Sequence, residues 1–381
     1  MNPQAALAQQ ISAEETVLYI FMDVSRSRWS LAFTDGSQMK FSSIVAGDFD
    51  ELDERIEWAA RKFKFTDDFR VISGYEAGDG FWVHRMLEKK GILNLVVDPG
   101  SFEERKNHGK RPKTDRLDAR RGARKMVQFC GGDSLAFSPV RVPDPDDEDD
   151  RRLHRERRRR IKERCAHITR IKHLLANQGI VDIPDPTDEQ WAVWLEDAHT
   201  PDGQPVGRYL KAELRRESKR LVEVDEMIAE IEAAQQAYLD EKADAKKAEM
   251  VEQLMWFKGI GLQTAWILVM EMFGWRNFEN RRQLGSYVGL CGTPEVTGGR
   301  GWDKGIDKRG NTYVRWIAIE MAWSWHRWQP DSELSQWFDE RFYDEGSRMR
   351  RRGIVGLARK LLNRLRVFLA DGVVPRGAVL G

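Results

Sequence analysis

The chain predicts an α/β fold at its N-terminus joined to all-α segments, and three observations predict it. Short apolar runs rich in β-branched and aromatic residues alternate with amphipathic stretches across residues 15–130. Residues 144–245 are highly charged and carry apolar positions at heptad spacing. Residues 250–381 read as apolar helices punctuated by glycine turns. A length of 381 residues suits such a division, since domains run to about 100–200 residues each.

The N-terminal elements follow in order. Val17 to Val24 is apolar and β-rich, Trp29 to Thr34 follows, and the turn signal Asp35-Gly36 leads into Met39 to Val45. This is a three-strand meander joined by short turns. Phe49 to Phe63 has helical apolar spacing, Val71 to Tyr75 is a strand, and Phe81 to Lys89 a helix. Ile92 to Val97 is a fifth strand stopped by Asp98-Pro99-Gly100, and Thr114 to Phe129 a final helix. The order βββαβαβα is that of an RNase H-like fold, in which the first and fourth strands lie side by side.

In the middle segment Leu153, Ile161, Cys165, Ile168, Ile171 and Leu175 fall on one helical stripe. Leu214, Leu221 and Ile228 recur every seven residues, with Val224, Ile231 and Tyr238 offset by three. That is a coiled-coil pattern. It closes within one chain or between two, and a dimer seam is the preferred expectation. Gly179 to Gly207 reads as a loop around a short helix at Trp191 to Trp194. In the last segment Gly259-Ile260-Gly261 precedes an apolar helix, and such a turn lets backbone N–H groups approach a phosphate. Tyr287-Val288-Gly289-Leu290, Thr297-Gly298-Gly299-Arg300-Gly301 and Gly305-Ile306-Asp307-Lys308-Arg309-Gly310-Asn311 follow. The next helix, about Tyr313 to Trp328, holds Trp316, Trp323, Trp325 and Trp328, which are expected in the core.

Composition narrows the function classes. Charged residues are 32% and hydrophobic ones 41% of the chain, with a net charge of +1. The charge is uneven: an acidic block at Asp144 to Asp150 precedes a basic one at Arg151 to Arg164, and Arg348-Met349-Arg350-Arg351-Arg352 adds a second basic stretch. Such runs are either solvated helix faces or phosphate contacts. Three scattered cysteines, Cys130, Cys165 and Cys291, lack metal-ligand spacing and fit a reducing compartment as buried or half-buried side chains. No secretory signal is expected, and no apolar run approaches the roughly 20 residues of a membrane span. Isolated histidines such as His84 and His108 are expected at the surface or at caps.

The chemistry rests on acids. Asp23 ends the first strand and Glu76 the fourth, so they converge at one sheet end, where ligands of open α/β sheets collect. Asp115 and Asp118, in Lys113-Thr114-Asp115-Arg116-Leu117-Asp118-Ala119, share one helix face. Taken singly, each acid is also an ordinary turn, cap or first-turn residue. Four gathered carboxylates repel one another, and hard divalent cations remove that penalty. Two such ions about 3.5–4 Å apart hold the attacking and leaving oxygens of a phosphodiester. Lys113 and Arg116 beside them suit phosphate approach.

These motifs, taken in order from about Tyr19 to Leu369, resemble the DEDD-type transposases of the insertion sequence 110 family, RNA-guided recombinases programmed by a noncoding bridge RNA. The resemblance is sharpest at Lys113 to Ala119. It implies a RuvC-like nuclease domain with Asp23, Glu76, Asp115 and Asp118 as ligands of Mg²⁺ (or Mn²⁺), and a C-terminal transposase domain. It also implies DNA and guide RNA as partners, a homodimer or homotetramer, and a cytoplasmic, nucleoid-associated setting. The family's nucleophilic serine precedes a Gly-Gly pair, and here that position is Thr297. Threonine keeps the hydroxyl, but its methyl restricts χ1. A working threonine is the preferred reading, against a less active variant or a chain that binds without recombining. Candidate nucleic-acid contacts are Lys113, Arg116, Arg157, Arg158, Arg160, Gly259, Gly261, Gly298, Gly299, Arg300, Lys308, Arg309, Arg350 and Arg351. The alternatives are a junction nuclease using water and a nucleic-acid-binding homologue with a weakened site.

Overall fold

The computed structural model describes residue 8 and residues 15–66, 68–78, 80–99, 115–297 and 300–381, with side chains at all of these except 115, 293–297 and 300–304. The chain divides into two compact units, Met1–Pro143 and Asp144–Gly381.

The first unit is a mixed sheet with helices on both faces. Its elements are β1 (Val17–Asp23), β2 (Arg28–Thr34), β3 (Met39–Val45), α1 (Phe49–Phe63), β4 (Arg70–Glu76), α2 (Trp82–Lys89), β5 (Leu93–Val97) and α3 (Asp115–Cys130). The sheet order is β3-β2-β1-β4-β5. β1, β2 and β3 form an antiparallel meander, whereas β4 runs parallel to both β1 and β5. The expected strands, helices and first-to-fourth pairing are thus present.

Strand alternation sorts the two cores. Leu18, Ile20 and Met22 face α1 and α2, together with Trp29, Leu31, Tyr75 and Val96. Val17 and Phe21 face α3, together with Ala32, Ile72, Leu95 and Val97. Two glycines let α3 sit close on that face. A Cβ at Gly122 would lie 2.2 Å from a Phe21 ring carbon, and one at Gly74 would lie 3.1 Å from Met126 Sδ. His84, expected at the surface, is buried: its Nδ1 meets Asn94 Nδ2 at 2.9 Å, and Ser73 donates to Asn94 at 2.8 Å. A polar group inside a core is tolerated when it is hydrogen-bonded in this way. His108 lies outside the described residues.

The second unit is mostly helical. It contains α4 (Pro145–Asp149), α5 (Arg152–Ala176), α6 (Gln190–Glu196), α7 (Arg208–Asp240), α8 (Ala245–Met255) and α9 (Leu262–Leu268). A π-helical turn, Val269–Phe273, continues α9. Then come α10 (Arg281–Val288), the strands β6 (Gly292–Thr297) and β7 (Arg300–Ile306), α11 (Thr312–Trp328), α12 (Glu333–Phe342) and α13 (Ser347–Asp371).

The heptad seam closes within the chain rather than as the preferred dimer seam. Leu214 and Leu221 of α7 share a core with Ile171 and Leu175 of α5 and with Trp191 and Leu195 of α6. Ion pairs run antiparallel along the same two helices: Arg157–Glu232 at 2.6 Å, Arg164–Asp225 at 2.6 Å and Arg170–Glu217 at 2.7 Å. A loop carrying α6 supplies the reversal, so the apolar stripe finds its partner locally.

Two further expectations are corrected. Only Trp325 of the α11 tryptophans is fully buried; Trp316, Trp323 and Trp328 are 39%, 37% and 55% exposed. The helix has one core stripe, and four indoles spread over its circumference cannot all share it. Cys165 is exposed, while Cys130 is buried. Burial pushes the Cys130 thiol up to about 12, which makes it unreactive.

Gly122→Ala tests the seating of α3. Alanine in a helix interior ordinarily adds up to about 1 kcal/mol over glycine. Here a loss of about 1–3 kcal/mol from overpacking is expected. Urea unfolding of the full chain measures it, and Phe21→Ala in the same chain should cancel much of the loss as a coupling energy.

Candidate functional site

Asp23 and Glu76 stand on the same face of neighbouring strands at the same end. The parallel register pairs Phe21 with Gly74 and Met22 with Tyr75, so the next step sets Asp23 beside Glu76. By alternation both share the face of Phe21 and Gly74, the face that α3 covers. Asp23 is half-buried and Glu76 exposed.

The direction of α3 brings the helix acids to that end. A Cβ at Gly36, in the β2–β3 turn, would meet Val127 at 3.9 Å. That turn lies at the Val17 end of β1, because Tyr19 pairs with Thr34. The helix therefore runs antiparallel to β1, with its N-terminus over the Asp23 end. From the Phe21–Gly122 contact, Asp23 lies two strand residues on, about 7 Å. Asp118 lies four helix residues back, about 6 Å. The two arrive at the same level. Asp115 begins the helix one turn before Ala119, which packs in the same core. The Asp118 side chain is 22% exposed, with Arg121 at 3.7 Å.

The set is not a finished cage. Among the described residues, no three of His, Cys, Asp and Glu are gathered closely enough to hold a metal ion. The Asp115 side chain is not among those described, and Lys113 lies outside the described residues altogether. Asp98, read from the sequence as part of a turn, follows β5 at the same sheet end, its N–H donating to Ser138 O at 3.0 Å. Arg116 lies over the Phe41 ring, 4.5 Å from its centroid.

In the second unit Thr297 ends β6 and pairs with Arg300 at the start of β7. Gly298 and Gly299 lie outside the described residues. This hairpin was not foreseen, although Gly-Gly between two extended runs is a two-residue hairpin signal. The strands are anchored behind by Asp307 N donating to Cys291 O at 2.9 Å.

The glycine motifs behind the hairpin form a clasp. Gly289 has φ +70°, and a Cβ there would lie 1.6 Å from Arg309 O; one at Gly310 would lie 2.2 Å from Tyr287 O. Only glycine lets the two chain segments touch this closely. Asn311 caps α11 through Oδ1 and, from Nδ2, donates to Glu271 at 2.8 Å. Glu271 is fully buried and accepts from His154 Nε2 at 2.8 Å and from Arg155 at 2.7 and 2.9 Å. Tyr287 donates to the Glu271 backbone carbonyl at 2.7 Å. Glu271 is missing from the residues singled out by sequence, although it breaks the apolar run from Trp266 to Trp275. A lone carboxylate in such a run was itself the signal, since buried charges need partners. A π-helical turn at that place agrees, as such turns mark special sites.

Burial alone would raise the Glu271 carboxyl, but the bonds from His154 and Arg155 outweigh it and bring it to about 2. Burial keeps the His154 imidazole below its ordinary value, against the pull of Glu271. Neutral imidazole donating from Nε2 satisfies both shifts and leaves Nδ1 without a partner among the described residues.

The remaining predicted contacts divide by what already engages them. Arg157 is paired with Glu232, and Arg160 with Glu156 and Glu163. Arg158 lies 4.5 Å over the exposed Trp316 ring. Gly259, with φ +91°, packs against Ser324 and Trp328, which accounts for the glycine by packing. Gly261 begins α9 with open space around its Cα. Lys308 and Arg351 are exposed; Arg350 faces the Tyr343 ring at 5.9 Å. Arg300 is described by its backbone only, and the Arg309 N–H donates to Asp307 at 3.0 Å.

Comparison with known proteins adds an independent finding. The family model described as Transposase IS116/IS110/IS902 family matches residues 251–336, the stretch holding Glu271, the clasp and the hairpin. A Sinorhizobium fredii protein assigned as a transposase, y4rJ, is 35% identical over 397 residues, covering 100% of this chain and 98% of that protein. A second from the same organism, y4qE, is 28% identical over 320 residues, 82% of this chain and 72% of that one. The transposase for insertion sequence element IS1328 of Yersinia enterocolitica is 28% identical over 170 residues, 45% and 48% of the two chains.

Glu271→Gln should destabilise the second unit by about 3–5 kcal/mol, because it leaves Arg155 facing a neutral partner. The pH dependence has a definite sign. The Glu271 carboxyl is held below its ordinary 4.5, so its stabilisation is complete above that pH and is lost as pH falls toward about 2. Denaturant unfolding from pH 7 to pH 3 should show this acid slope in the parent chain and a flatter one in Glu271→Gln. Equal slopes would remove Glu271 from the centre of the clasp.

Proposed function

Because the chain belongs to the IS116/IS110/IS902 transposase family, we propose that it cuts and rejoins DNA through a protein–DNA ester, directed by a guide RNA. The observation that carries the proposal is the placement of Asp23 and Glu76 on adjoining strand ends beneath the first turns of α3. The sheet order, an antiparallel meander continued by a parallel pair, supports an RNase H-like, RuvC-like reading of the first unit.

Carboxylate oxygens suit Mg²⁺, with Mn²⁺ as its substitute. This reading assigns Asp23, Glu76, Asp115 and Asp118 as the ligands; it requires the described three to draw together, and Asp115 to join them, when the ion binds. Bound there, the ions would offset the crowded acids and polarise the scissile phosphodiester. The rest of the reaction belongs to Thr297. Its hydroxyl oxygen bonds to phosphorus as the bond to the leaving oxygen breaks, and its proton goes to that oxygen. A hydroxyl on a second DNA end then attacks the same phosphorus, releasing the threonine hydroxyl. Each step exchanges one phosphodiester for another, so no external energy source is needed. Sequence choice falls to base pairing with the guide, while protein cations contact the backbone. Family likeness supports a homodimer or homotetramer in which different copies complete one site. Among the described residues, no helix is long and apolar enough to cross a membrane.

The test incubates the full chain, its guide RNA and end-labelled DNA with Mg²⁺ and resolves products on a denaturing gel. A protein-linked DNA band is expected, absent in Thr297→Ala and reduced at least about 10²-fold in Asp118→Asn. A band that persists in Thr297→Ala moves the nucleophile elsewhere, and Ser286, a hydroxyl on α10 shortly before the hairpin, is the next to be changed. Free 5′-phosphate ends without a linked band would instead mean a water-using junction nuclease. Unchanged DNA with guide binding retained would mean a binding homologue.

A further inference from the structure

A cleft of about 560 Å³ opens in the second unit between α10, α12 and α13. Its lining is unlike that of an apolar ligand pocket of this size. Arg281 and Arg282 enter from the start of α10, and Arg359, Lys360 and Arg364 from one face of α13. Glu333, on α12, is the one carboxylate among the lining residues, and it already engages Arg364 at 3.7 Å. Among the described residues no carboxylate pairs with Arg281, Arg282 or Arg359. This contrasts with the basic run on α5, where Arg157, Arg160 and Arg164 are each matched to an acid of the same unit.

Five cations against one carboxylate repel one another unless an anion joins them. Burial, and then the neighbouring Arg341 and Arg364, hold the Lys360 ammonium below its ordinary value. Lys360 Nζ also sits 4.4 Å over the Trp337 ring, so an aromatic wall is present as well. Arginine forks hold the phosphates of a nucleic-acid strand, and an aromatic face stacks its bases. The lining also includes Cys291, the residue immediately before β6. The cleft therefore lies at the root of the hairpin that carries Thr297, six residues away, an extended reach of about 20 Å.

We propose that this cleft binds the phosphodiester backbone of a nucleic-acid strand and feeds that strand toward the β6–β7 hairpin. The part concerning the hairpin rests on the transposition chemistry proposed above; the binding part does not. Cations that neutralise phosphates release counterions, so removing one such cation lowers the salt slope of binding by about 0.7–0.9.

The test measures Kd of the full-length chain for fluorescent single-stranded DNA, duplex DNA and RNA of equal length, across salt concentrations and in EDTA, so that no chemistry occurs. The variant is Arg281→Ala/Arg282→Ala/Arg359→Ala, with Arg61→Ala/Lys62→Ala/Lys89→Ala as a matched loss of exposed charge in the first unit. Thermal unfolding checks that both fold. The cleft variant should lose about 2–3 in salt slope and bind at least about 10-fold more weakly to one or more of the three; the probe affected identifies the strand. Unchanged affinity and slope on all three overturns the proposal, as does an equal loss in the matched control. Loss of binding here, in a chain that forms no protein-linked DNA band with Mg²⁺, would leave the cleft standing and remove the transfer reaction instead.

Discussion

The contact between Gly122 and Phe21 sets the geometry of the first unit. A helix that carries any side chain at that point must stand farther from the sheet. Held close, α3 aligns its first turns with the ends of β1 and β4, and acids from three elements reach the same level. Among the described residues these acids stop short of a set of three able to hold a metal ion.

The second unit is organised by a different constraint, the burial of Glu271. A fully buried carboxylate is tolerable only with its lone pairs filled. His154 and Arg155 come from α5, Asn311 from the start of α11, and Tyr287 closes on the backbone behind it. One carboxylate thus ties together segments more than 100 residues apart in the chain. The same ties hold the segments, Tyr287–Leu290 and Arg309–Asn311, from which β6 and β7 extend.

Charge placement follows from these two frameworks. The basic run on α5 is the most conspicuous feature of the composition, yet its arginines are largely matched by acids of α7 and by Glu271. It works as glue for a helical hairpin. Arg281 and Arg282 of α10 and Arg359 of α13, far apart in the sequence, meet only in the fold and pair with no carboxylate among the described residues. A polyanion responds to the uncompensated field, not to the count of basic residues in a stretch.

The sequence by itself determined the elements of the first unit, their order and the two strand-end acids. Alternation and helical spacing are local properties that need no partner to be read. It likewise marked Asp115 and Asp118 as neighbours on one helix face and showed a heptad seam in α7. Only the tertiary structure decided that this seam closes against α5, that three of the four α11 tryptophans face outward, and that Glu271 is the hub of the second unit. It also showed that glycines at 289 and 310 stand for a chain crossing. Each of these depends on what lies across the fold from a residue: which charge meets which, and how closely two backbones pass. Such distances arise only when the chain closes on itself, and no spacing along the polymer encodes them.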